Sequence, residues 1–95
     1  MIVEDEDEWM KKIIDILHRE ADFIVDEAVM EQEEAVNRCL GSKTDIILMD
    51  IALGENISGG IDVIKTVLRE KSRKFIALTC FDDINTIVEC FQAGA

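Results

Sequence analysis

Residues 45–51 read Asp45-Ile46-Ile47-Leu48-Met49-Asp50-Ile51. Four consecutive apolar residues with no polar alternation suit a central parallel strand covered on both faces. The run ends on a carboxylate. Downstream, Leu53 to Gly60 is a loop, with Gly54, Asn56, Ser58, Gly59 and Gly60 as its breakers. Ile61, Ile64, Val67 and Leu68 then recur at helical spacing, and Phe75 to Leu78 is another short apolar run. Asp82 or Asp83 can cap a last helix carrying Ile84, Ile87, Val88 and Phe91, which Gly94 ends. Upstream, Ala35, Val36, Cys39 and Leu40 form a helical stripe, with Gly41 as its C′ stop. Phe23-Ile24-Val25 is a strand candidate, and Met10, Ile13, Ile14 and Leu17 mark one more helix. Met1-Ile2-Val3 is a short strand that stops at five acids, residues 4–8. The order is β-α-β-α-β-α-β-α. Such alternation predicts an α/β fold, a doubly wound parallel sheet with right-handed crossovers and helices on both faces.

The chain has 95 residues, so it forms one domain at most. A 48% apolar, 33% charged composition is globular, and no apolar run is long enough to cross a membrane. The net charge of −11 repels phosphate backbones and anionic headgroups, which argues against nucleic-acid or membrane binding by this chain itself. No basic n-region opens a signal peptide. Cys39, Cys80 and Cys90 are odd in number and lie in apolar stretches, so they read as reduced core thiols of a cytoplasmic protein.

In an open parallel sheet, ligands bind beyond the carboxyl ends of the strands. Three predicted strands end there in a reactive group: Glu4-Asp5, Asp50 and Thr79. Strands one and three would be neighbours, so their carboxylates converge in one crevice. Like charges that close repel unless a cation neutralises them. Oxygen donors with no His or Cys among them suit Mg²⁺. A carboxylate in that setting can act as a nucleophile and form an aspartyl phosphate. Taken singly, each of these residues is ordinary. Five acids can be the solvated start of a helix, and an Asp after an apolar run can be a plain strand end. His18 reads as a surface residue and Trp9 as a packing residue. Their joint arrangement on successive strand ends carries the signal.

Ile-Val-Glu-Asp-Glu (2–6), Asp-Ile-Ile-Leu-Met-Asp-Ile (45–51), Ser-Gly-Gly-Ile-Asp-Val-Ile (58–64), Ala-Leu-Thr-Cys-Phe (77–81) and Phe-Gln-Ala-Gly-Ala (91–95) together resemble the receiver domain of two-component response regulators. The resemblance covers the whole chain. It implies the flavodoxin-like fold with strand order 2-1-3-4-5. It implies that Asp50 accepts a phosphoryl group from a phosphohistidine on a sensor histidine kinase. Glu4, Asp5, Asp50 and the Ala52 carbonyl would hold Mg²⁺, Glu4 mostly through a metal-bound water, and Thr79 would contact the phosphoryl group and act as the switch. The protein would then be no enzyme, catalysing only its own aspartyl phosphorylation and dephosphorylation. It would control an output domain, most similar to those of LuxR-type helix-turn-helix regulators, with a possible homodimer on phosphorylation.

The family also has a Lys at the end of a fifth strand, and this chain stops at Ala95. The expectation is therefore a receiver domain over 1–95 that lacks the fifth strand and helix. Such a piece, made alone, is expected to be poorly soluble or self-associating through the strand at 75–80. The loop after Asp50 lacks the family's usual proline and is longer. Two other functions are compatible with a strand-end Asp. A Mg²⁺-dependent hydrolase of the haloacid-dehalogenase type wants a second Asp two residues on, where this chain has Ala52. An unphosphorylated pseudo-receiver serving as an interaction module would not need Glu4, Asp5, Asp50 and Thr79 intact.

Overall fold

The computed structural model describes residues 1–78 and 84–95. Four parallel strands form one sheet: β1 (Ile2–Val3), β2 (Ala28–Val29), β3 (Ile47–Asp50) and β4 (Phe75–Leu78). Their order is β2-β1-β3-β4, with α1 (Asp7–His18), α2 (Gln32–Gly41) and α3 (Gly59–Leu68) in the connections and α4 (Ile84–Ala93) after β4. This is the flavodoxin-like arrangement expected for strands one to four. The chain reverses direction of winding at β1 and β3, which puts a crevice beyond their carboxyl ends.

The register builds two faces. Ile2, Leu48 and Ile76 are aligned across the ladders, and so are Val3, Met49 and Ala77. Because side chains alternate along a strand, these rows lie on opposite faces. The second row, with Ile47 and Phe75, packs under α2, α3 and α4. Ile47, Met49, Val63, Ile64 and Val67 are fully buried there. Burying Ile61, Val63, Ile64 and Val67 of α3 stabilises the fold by roughly 6–12 kcal/mol, as an upper figure.

The face of the first row is less covered than a central strand predicts. Ile46 is 43% exposed and Ile76 50%. These two, with Ile2, Leu48, Leu17 of α1 and Phe23, line an open groove of about 640 Å³. The α1 stripe accordingly buries Met10 fully, whereas Ile13, Ile14 and Leu17 are half-buried.

Four expectations need correction. The second strand is Ala28–Val29, and Phe23-Ile24-Val25 is not a strand; Ile24 is 86% exposed. The reason is register. β1 pairs Ile2 with Ala28 and Val3 with Val29, so residues 23–25 have no ladder partner. Gly41 is the last residue of α2 rather than its C′ stop. The helix ends where Ser42 turns extended and its N–H bonds Arg38 O at 2.8 Å. Of the predicted α4 stripe, Ile84 and Phe91 are each 72% exposed, while Cys90 and Ala93 face the core. Trp9 is half-exposed and lies under the Lys12 ammonium, 5.0 Å from the ring centroid, instead of packing inside.

Other readings agree with the structure. His18 is exposed. Gly94 ends α4 with φ +115°, and the N–H of Ala95 reaches Cys90 O at 3.0 Å. Cys39 and Cys90 are free and buried, and burial pushes the Cys39 thiol up to about 11, where it resists oxidation. Cys80 and the capping Asp82 and Asp83 lie outside the described residues. Among those described, no helix is long and apolar enough to cross a membrane.

Candidate functional site

The ladders carry three acids to one edge of the sheet. Asp50 is the last residue of β3 and pairs with Leu78 of β4. The Glu4 N–H continues the β1–β2 ladder by donating to Val29 O at 3.0 Å, so Glu4 sits just past the end of β1. Asp5 follows it, before α1 starts. Glu6 is extended at the N-cap, and Asp7 and Glu8 fill the first turn, where a helix dipole favours negative charge. The five acids therefore divide. Asp7 and Glu8 serve the helix, and Glu4 and Asp5 face the crevice.

Carboxylate oxygens of Glu4, Asp5 and Asp50 lie within 4.8 Å of one another. Glu4 is buried, and one of its oxygens accepts the Glu6 N–H at 3.2 Å. Burial, then the charge of Glu4 beside it and then Asp5, push the Asp50 carboxyl up to about 8. Glu4 is raised as well, first by burial. A counter-charge placed among these carboxylates would offset the burial and repulsion that favour the protonated forms of Glu4 and Asp50. The donor set is oxygen only and hard, with no thiolate or imidazole. These residues fit Mg²⁺ or Ca²⁺ and not a soft metal.

The loop after β3 is built against this cluster. Leu53 and Asn56 exchange backbone hydrogen bonds of 3.0 Å each, closing a two-residue hairpin around Gly54-Glu55. Gly54 has φ +59°, a conformation that costs a residue with a Cβ. Its N–H donates to Asp5 Oδ2 at 2.8 Å. At the far end of the loop, the Gly60 N–H donates to Ile51 O at 2.7 Å as α3 begins. A Cβ at Gly60 would strike Asp50 O and would meet Ile51 Cα at 2.7 Å. Only glycine lets α3 approach the backbone that carries Asp50.

Of the residues singled out from the sequence, Glu4, Asp5 and Asp50 are thus together. Ala52 stands half-buried in the loop two residues past Asp50. Thr79 lies outside the described residues. Sequence reading missed the Gly54 donor and the close approach at Gly60. The cluster of glycines at 54, 59 and 60 was the available signal, but it reads as loop punctuation until the neighbours are known.

Comparison with known proteins follows the same line. The family model for the response regulator receiver domain matches residues 1–95. A two-component response regulator of the LuxR family from Aurantimonas sp. SI85-9A1 superposes with TM-score 0.89 at 21% identity, over 100% of this chain and 67% of that one. A response regulator protein from Burkholderia pseudomallei, solved with a phosphorylated aspartic acid, calcium ion and citrate, gives 0.82 at 22% identity, over 99% and 54%. At these identities the likeness concerns the fold. The N-terminal domain of a response regulator/sensory box/GGDEF 3-domain protein from Carboxydothermus hydrogenoformans gives 0.78 at 28% identity, over 96% and 71%. This chain spans little more than half of the Burkholderia chain's length. No curated protein matches it in sequence.

Proposed function

The chain belongs to the response regulator receiver domain family, and on that premise we propose that residues 1–95 act as a phosphoacceptor unit with Asp50 as the phosphorylated residue. A receiver domain is a phosphorylation-dependent signalling module rather than an enzyme with an external substrate. The observation that carries the assignment is the cluster of Glu4, Asp5 and Asp50 at the carboxyl edge of β1 and β3. Glu4, Asp5, Asp50 and the Ala52 carbonyl would hold Mg²⁺. When bound, the dication offsets the charge of the acids and of the incoming phosphoryl group.

An oxygen of the Asp50 carboxylate attacks the phosphorus of a phosphohistidine on a sensor histidine kinase. The new O–P bond forms as the N–P bond breaks, and the imidazole nitrogen leaves with the electron pair. The backbone bonds that end β3 hold Asp50 at the crevice mouth while its neighbours keep it crowded. The Thr79 hydroxyl would then donate to a phosphoryl oxygen and act as the switch. The chain would catalyse only its own phosphorylation and dephosphorylation. Its output would be transcriptional, of the LuxR type, with a homodimer forming on phosphorylation in the cytoplasm.

A haloacid-dehalogenase type of hydrolysis lacks its second Asp, because Ala52 holds that position. Incubation with acetyl phosphate and Mg²⁺, read by intact mass, tests the reading. An adduct of about 80 Da, one phosphoryl group, is expected on wild type and not on Asp50→Asn. Label on the Asn variant at the wild-type level would remove Asp50 from its role. Multiple turnover of acetyl phosphate with no adduct would favour the hydrolase, and no reaction a pseudo-receiver.

A further inference from the structure

Asp5 faces a problem of its own position. It follows Glu4 directly and lies against Asp50, so its half-buried carboxylate stays in the cluster against the repulsion of two other acids. Its Oδ2 accepts the Gly54 N–H at 2.8 Å. A hydrogen bond to an ionised carboxylate is about twice as strong as a neutral one. Where that N–H points depends on the whole hairpin. Leu53 is buried and anchors one arm, and the reciprocal Leu53–Asn56 bonds close the turn. The Asn56 amide donates to Gln32 Oε1 and to Asp62 Oδ2, both at 3.3 Å, and its Oδ1 accepts the Ser58 N–H at 3.1 Å. The turn is therefore tied to α2, to α3 and to Ser58, two residues on.

We propose that the 53–56 hairpin is a clamp that positions Asp5 for cation binding through the Gly54 N–H, resting on the reading of Glu4, Asp5 and Asp50 as a divalent-cation site. Gly54 is a positioning residue. It acts by holding a ligand carboxylate in place through its N–H. Hydrogen bonds behind a metal ligand commonly set affinity by 10–100-fold. The position is also suited to a clean test. A Cβ added at Gly54 meets nothing within 4 Å, so substitution there acts through backbone conformation alone. A β-branched residue strongly resists φ +59°, whereas Asn tolerates it.

The test is Mn²⁺ binding by the unphosphorylated chain, read by electron paramagnetic resonance of the free ion. Gly54→Val should weaken Mn²⁺ binding by about tenfold, and Gly54→Asn should stay close to wild type. Asn56→Ala, which removes the side-chain ties of the hairpin to α2 and α3 while keeping its backbone bonds, should weaken binding in the same direction. Equal Mn²⁺ affinity in wild type, Gly54→Val and Asn56→Ala overturns the clamp while leaving the cation site standing. Equal loss in Gly54→Val and Gly54→Asn also overturns it, because the left-handed conformation would then not matter. A wild-type chain that binds no Mn²⁺ overturns the cation-site reading itself, and the clamp with it.

Discussion

Replacing Asp50 by Asn should stabilise the metal-free protein, with a pH dependence that identifies the cause. The Asp50 carboxyl is raised from an ordinary 3.8 to about 8 by burial and by the charges of Glu4 and Asp5. Between those values the folded state binds more protons at this site than the unfolded state. Stability therefore falls as pH rises from about 4 to about 8, and the loss is complete above 8. At pH 7 the part of this loss already expressed corresponds to about 4 kcal/mol. The group is only half-buried, and solvent screening reduces this to about 2 kcal/mol. Asn keeps the shape and cannot ionise. For a domain of this size, 2 kcal/mol raises the melting temperature by about 10 °C. The assay is thermal unfolding by circular dichroism in EDTA, for both proteins, from pH 5 to pH 9. The two curves should lie closest at pH 5 and separate progressively up to pH 8. With saturating Mg²⁺ the order should shrink or reverse, because the variant has lost a ligand. Coincident melting at pH 8 in EDTA would refute the mutual repulsion of these acids.

Mg²⁺ at about 100 times its dissociation constant should stabilise wild type by about 2.7 kcal/mol, and Asp5→Asn should abolish most of that gain in the same melting assay. Gly60→Ala should destabilise by about 1–3 kcal/mol, since its Cβ would strike Asp50 O; urea unfolding unchanged from wild type would mean that α3 does not rest on this backbone. Arg73 donates from Nε to Cys39 O and from Nη1 to Thr44 O, both at 2.9 Å, tying the lead into β4 to the end of α2. Arg73→Met should cost about 2 kcal/mol in the same denaturant series.

Local pattern located most of the fold. Ile47 to Met49 and Phe75 to Leu78 are strands because short apolar runs between breakers have few other ways to bury themselves. Ile61, Ile64 and Val67 are fully covered because their spacing puts them on one helix face. The acids were legible for a related reason. A parallel sheet presents the carboxyl ends of its strands together, so Glu4, Asp5 and Asp50 had to meet once the strands were placed. Where the sequence failed, the deciding partner was distant. Phe23-Ile24-Val25 has the composition of a strand, but β1 offers ladder bonds only to Ala28 and Val29. Ile84 and Phe91 repeat at helical period, yet α4 turns Cys90 and Ala93 to the core instead. Periodicity says that a helix has an apolar face, and only packing says which residues it meets. The direction of the Gly54 N–H and the closeness of Gly60 to Asp50 are likewise invisible in one dimension, because each is a relation between backbones brought together by folding.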